Sequence, residues 1–94
     1  MNRLVENILM KVLNATYISG YSIRISFSNG ETRIIDLAPF LSKAKNPATS
    51  QFLNKKKFRV FKLSNGYLTW NGQMDISADY LYQLPEEKKL AQKS

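Results

Sequence analysis

The chain of 94 residues has no cysteine and no histidine. Without thiols there are no disulfides, no thiolate metal ligands and no cysteine nucleophile, and without imidazole the usual general base near neutral pH is missing. The expectation is therefore a protein that is not an enzyme and carries no metal or cofactor. Glycine is scarce too: the four, at positions 20, 30, 66 and 72, sit in turn-like contexts and not in a phosphate-cradling loop. No apolar run approaches the roughly 20 residues needed to span a bilayer. Near the N-terminus Glu6 and Lys11 interrupt the apolar residues, so no signal peptide is read and a cytoplasmic location is expected.

Acidic residues number 7 against 14 lysines and arginines, a formal net charge of +7. Such an excess on a small domain either favours anionic partners through its long-range field or simply aids solubility. Among the carboxylates, Asp75 and Asp79 are close enough in sequence to share a cation or acid–base work, but helix capping and dipole complementarity explain them more simply. The basic run Lys55, Lys56, Lys57, Arg59 and Lys62 is a candidate anion or nucleic-acid patch; its plainer reading is a solvated loop whose lysines also protect a strand edge. No zinc finger, recognition helix or ribonucleoprotein motif accompanies it.

What is present is a folding pattern. A hydrophobic fraction of 44% with 22% charge is ordinary for a folded domain, and a chain of this length supports one core. Ile23, Ile25 and Phe27 alternate with Ser22, Arg24 and Ser26 at the period of a half-buried strand. Asn29-Gly30 then reads as a two-residue type I′ hairpin, pairing Phe27 with Thr32, Ile25 with Ile34 and Ile23 with Asp36. On that register Asp36 ends the strand and caps a short helix that holds Pro39 in its first turn.

Asn65-Gly66 repeats the device: Leu63 faces Leu68, Phe61 faces Trp70, Lys62 faces Thr69, and the four apolar side chains share one face. Trp70 is then a core residue and Phe61 its cross-strand neighbour, with Gly30, Gly66 and Gly72 as structural turn residues. The segment from Ser42 to Lys57 reads as a surface loop anchored by Phe52 and Leu53. After the Asn71-Gly72 turn, Ile76, Tyr80, Leu81 and Leu84 recur at helical spacing, with Ser77 or Asp75 as N-cap and Pro85 as the stop.

The fold class expected is α+β: a small antiparallel sheet of hairpins, with strands near 12–18, 21–28, 31–36, 58–63 and 67–70, and short helices near 37–42 and 77–84. Residues 1–84 form the single domain, 1–9 being a short helix or an extension of the first strand, and 85–94 form a charged, frayed tail.

The stretches YSIRISFSNGETRIIDLAPFL and FRVFKLSNGYLTWNGQMDISADYLY together resemble the small bacterial domain-of-unknown-function family 2442 over about residues 12–82. Trp70, Gly72, Asp75, Ile76, Leu81 and Tyr82 fit its C-terminal pattern, while Asn71 stands where many members have proline. The resemblance implies an antiparallel α+β domain, either stand-alone or joined to a helix-turn-helix; few residues follow Tyr82, so a member without one is expected. Many members are encoded beside a second small protein in what looks like a toxin and antitoxin pair, and the family has no established catalytic residues to carry over. The expected function is a non-enzymatic interaction or regulatory module, antitoxin-like, with another small protein as partner and Asp75, Asp79 and Tyr82 as the contact segment. The alternative is nucleic-acid binding through the basic run. A homodimer fits either reading.

Overall fold

The structure is a computed structural model and describes residues 10–86. The expectations for residues 1–9 and 87–94 lie outside these. Six strands form two antiparallel three-stranded sheets, β1 (Val12–Ser19), β2 (Ser22–Phe27) and β3 (Thr32–Asp36) in one, and β4 (Lys62–Ser64), β5 (Tyr67–Trp70) and β6 (Met74–Ile76) in the other. The helices are α1 (Ala38–Lys43), α2 (Pro47–Ser50), α3 (Lys55–Phe58) and α4 (Ala78–Gln83). The α+β class and its antiparallel character are as read from the sequence, but the expected single sheet is divided into two and one hairpin changes register.

The first hairpin differs in register by one residue. Gly30, at φ 93°, follows a turn in which its N–H donates to the Phe27 carbonyl at 3.0 Å, and Phe27 N–H donates to the Glu31 carbonyl at 2.8 Å. This is a three-residue loop with a glycine bulge. Asn29 does not take positive φ; its Oδ1 accepts from the Glu31 N–H. The extra loop residue exchanges the faces of β3, because side chains alternate along a strand. Ile23 now faces Ile35, Ile25 faces Arg33, and Asp36 pairs with Ser22 away from the core. An aspartate on the core face was the one discord in the two-residue register, and the longer loop removes it. Asp36 Oδ1 accepts from Ala38 N–H at 2.9 Å as the chain enters α1, whose first turn contains Pro39.

The second hairpin keeps its expected pairing, Lys62 with Thr69 and Leu63 with Leu68, across Asn65 and Gly66 at φ 47° and 88°. Its strand starts at Lys62 and not at Phe58, because α3 and a following turn occupy 55–60. Leu63 also departs from the shared core face: it is 42% exposed while Leu68 is buried.

The segment read as a loop is built of short helical turns. Asn46 caps α2, with Pro47 at its start, and Asn54 Oδ1 accepts from the Lys56 and Lys57 N–H groups at the start of α3. These turns bury Phe52 and Phe58, whereas Leu53 stays at the surface. After Asn71-Gly72 the chain does not go directly into a helix. Met74, Asp75 and Ile76 pair with Trp70, Thr69 and Leu68 as β6, and only then does Ser77 cap α4 by accepting from Tyr80 N–H.

The core lies between the sheets and under the helical segment: Ile23, Ile25, Ile35, Leu68 and Leu81 are completely buried there. Val12 N–H donates to the Gly66 carbonyl at 2.8 Å, tying β1 to the β4–β5 turn. Beyond α4, Glu86 forms an antiparallel bridge with Ile35, which occupies the outer edge of β3.

Trp70 is fully buried among Phe52, Phe58 and Phe61, with centroid separations of 6.1, 5.8 and 5.7 Å, and its Nε1 donates to the Phe58 carbonyl at 2.8 Å. Trp70→Phe keeps much of the apolar surface but leaves that carbonyl unsatisfied, a loss of about 1 to 3 kcal/mol. Trp70→Ala removes the packing as well and costs about 3 to 5 kcal/mol. Urea unfolding followed by circular dichroism checks the order of the two variants; equal midpoints for Trp70→Phe and the native protein would show that the bond contributes nothing.

Candidate functional site

Three surface regions gather side chains with chemical capability. The first joins β3 to α4. Glu31, brought opposite Phe27 by the longer loop, accepts from Arg33 Nη2 at 2.8 Å and from the Tyr82 hydroxyl at 2.8 Å. The Arg33 guanidinium lies over the Tyr82 ring, 4.0 Å from its centroid, and donates through Nη1 to the Tyr82 carbonyl. On its other side Tyr82 packs edge-on against Phe27 at 5.2 Å. The Tyr82 hydroxyl, and after it the Arg33 guanidinium, hold the Glu31 carboxyl below its ordinary value of 4.5. Tyr82, a candidate contact residue in the sequence, is thus occupied in fastening α4 to the first sheet.

The second region is a groove. Phe40 of α1 and Tyr80 of α4 meet edge-on with ring centroids 5.5 Å apart. On one side of this pair lies a cleft of about 430 Å³, continued by Leu84 and Pro85 and flanked by Asp36 and Lys43. On the other is a shallower depression reaching Ile76, Ser77 and Asp75. Tyr80 is 42% exposed, although it sits on the helix that carries the buried Leu81. Asp75 belongs to this groove and accepts from the Thr69 hydroxyl across the sheet. Asp79, in the first turn of α4, lines a different depression with Asn65 and Tyr67.

The third region is the basic run. Lys55, Lys56 and Lys57 form one turn of α3, Arg59 follows, and Lys62 stands on β4; all are exposed. Two of these cations rest on tyrosines of β1 and the β1–β2 turn, Arg59 over Tyr17 at 5.3 Å and Lys55 over Tyr21 at 5.7 Å. The Tyr21 hydroxyl donates to the Leu53 carbonyl, which holds the helical segment against the sheet. Sequence reading located these cations but not their aromatic supports, which come from strands far away in the chain.

Among the described residues no three His, Cys, Asp or Glu side chains gather as metal ligands would, and no helix is long and apolar enough to cross a membrane.

Two antiparallel three-stranded sheets, closed by a capped C-terminal helix and a tryptophan-centred core, define the chain as a small α+β domain. It belongs to the family described as Protein of unknown function (DUF2442), which matches residues 12–85. No curated protein and no solved structure matches it.

The tie at Glu31 has a pH signature. Its folded-state pKa lies below the ordinary value, so the group stabilises the fold above the unfolded-state pKa and loses that contribution as pH falls through the folded value. Acidification from about pH 6 to about pH 3 should lower the melting temperature of the native protein more than that of Glu31→Gln. Thermal unfolding at both pH values tests this, and equal decrements would remove Glu31 as a source of acid sensitivity.

Proposed function

We propose that the chain is a non-enzymatic, cytoplasmic protein-interaction module, a regulatory and antitoxin-like partner of another small protein. The observation that carries this reading is the Phe40–Tyr80 pair. A domain of this size needs its large apolar side chains for its core, and aromatic residues are enriched at the centres of protein interfaces. An exposed Tyr80 set against a half-buried Phe40 at a cleft is an interface-like arrangement. The contact segment then centres on Tyr80 and Asp75 in place of Tyr82, whose ring and hydroxyl are already engaged.

A second reading, nucleic-acid binding, is favoured by the exposed turn of three lysines and by the seating of Lys55 and Arg59 on tyrosine rings. Partly immobilised cations lose less freedom when they meet phosphates.

Affinity capture of the tagged protein from its host lysate, with and without nuclease, separates the two. The expected result is a stoichiometric small protein that survives nuclease; recovery dominated by nuclease-sensitive nucleic acid would replace the first reading by the second. In that case the slope of log K against log salt should fall by roughly one for each of Lys55, Lys56 and Lys57 removed. A flat salt dependence would dismiss the basic run.

A further inference from the structure

The described residues that line the Phe40–Tyr80 groove carry a net charge opposite to that of the chain as a whole. Among the described residues the groove's charged lining consists of two carboxylates, Asp36 and Asp75, against one ammonium, Lys43, in a protein of net charge +7. None of the five cations of the basic run lines either side of the groove. Each carboxylate uses Oδ1 internally, Asp36 for the Ala38 N–H and Asp75 for the Thr69 hydroxyl, and among the described residues no hydrogen bond reaches either Oδ2. Two acceptors thus border an apolar cleft divided by an aromatic pair.

We propose that this groove docks a basic amphipathic segment of a partner protein. Two apolar side chains of the segment lie on either side of the Phe40–Tyr80 pair, and lysine or arginine beside them donates to Asp36 and Asp75. This rests on the interaction-module reading and gives it a partner chemistry. Nucleic acid is disfavoured here because phosphates would face two carboxylates. An acidic segment is disfavoured for the same reason. A helix or strand that buries alternate apolar groups and leaves basic side chains at its flanks meets both the apolar floor and its polar border.

The test uses a fluorescein-labelled peptide of about fourteen residues, leucines at helical spacing and lysines between them. Two analogues replace the lysines by glutamate or the leucines by serine. Binding to the full chain is read by anisotropy for the native protein, Tyr80→Ser and Lys43→Glu, with circular dichroism confirming that both variants fold. The leucine–lysine peptide should bind at least about tenfold more tightly than either analogue, and Tyr80→Ser should weaken it by about tenfold. Lys43→Glu removes the opposing cation and should tighten binding by about threefold, as suits one exposed charge contact.

Equal or better binding of the glutamate analogue overturns the proposal, as does binding indifferent to Tyr80→Ser. Self-association of the native chain that Tyr80→Ser abolishes also overturns it, since a second copy is then the occupant. Lysate capture by native and Tyr80→Ser protein distinguishes the levels. A partner retained equally by both leaves the interaction reading standing and removes this groove; capture of no protein by the native chain removes the reading itself.

Discussion

One buried hydrogen bond, from Trp70 Nε1 to the Phe58 carbonyl, sets the arrangement on which the rest of the molecule depends. A buried indole N–H must find an acceptor or cost its desolvation energy, and the acceptor here belongs to the last residue of a four-residue helix. So short a helix is not stable by its own propensity. It persists because Asn54 caps its start, Trp70 binds its end, and the Phe58 ring packs against the tyrosines of β1 and the β1–β2 turn, 6.3 Å from Tyr17 and 5.3 Å from Tyr21. Both sheets therefore meet at Phe58. The same contacts fix the display of the basic run, since Lys55 and Arg59 flank Phe58 and lie over those tyrosines. The basic run is thus positioned by an aromatic cluster.

The tie of Glu31, Arg33 and Tyr82 does for α4 what the tryptophan does for α3. It lies near the surface, so its ion pair adds little by itself. Its importance is geometric: the Tyr82 hydroxyl and carbonyl are both taken by β3 or its turn, which fixes the rotation of α4 about its own axis. With Leu81 buried and Tyr82 directed at β3, Tyr80 is left to face α1 and solvent. The groove follows from that rotation.

Much of this was legible from residue order. The alternation in β2 and the Asn65-Gly66 turn gave strands and pairing that hold in the structure. Asn29-Gly30 did not, because Asn-Gly suits both a two-residue turn and the last two positions of a three-residue loop, and local sequence does not separate them. The aspartate on the core face was the available warning. The helical turns over 47–58 had local signals in Asn46-Pro47 and Asn54, but helices of four residues lack the periodicity that normally marks one. Met74, Asp75 and Ile76 do alternate, yet they run into a helical pattern that begins at Ser77 and were absorbed by it. The groove was out of reach for another reason: Phe40 and Tyr80 belong to elements separated by half the chain, and no spacing rule connects them.

Charge acts at two distances in this molecule, and the two need not select the same thing. At separations up to about the Debye length, about 8 Å at physiological salt, the net charge of +7 gives a screened field that favours acidic proteins and nucleic acids, and beyond it that field fades. At contact, a segment seated in the groove meets Asp36 and Asp75 directly, where the nearest charges outweigh the screened total. On the proposed docking, a partner acidic overall with one basic amphipathic segment is favoured by both: the net field assists its final approach and the groove fixes its register. A uniformly basic protein is repelled before it arrives, and an acidic one without such a segment is attracted but not held. On the proposed docking, specificity at this surface comes from the opposition of the two signs.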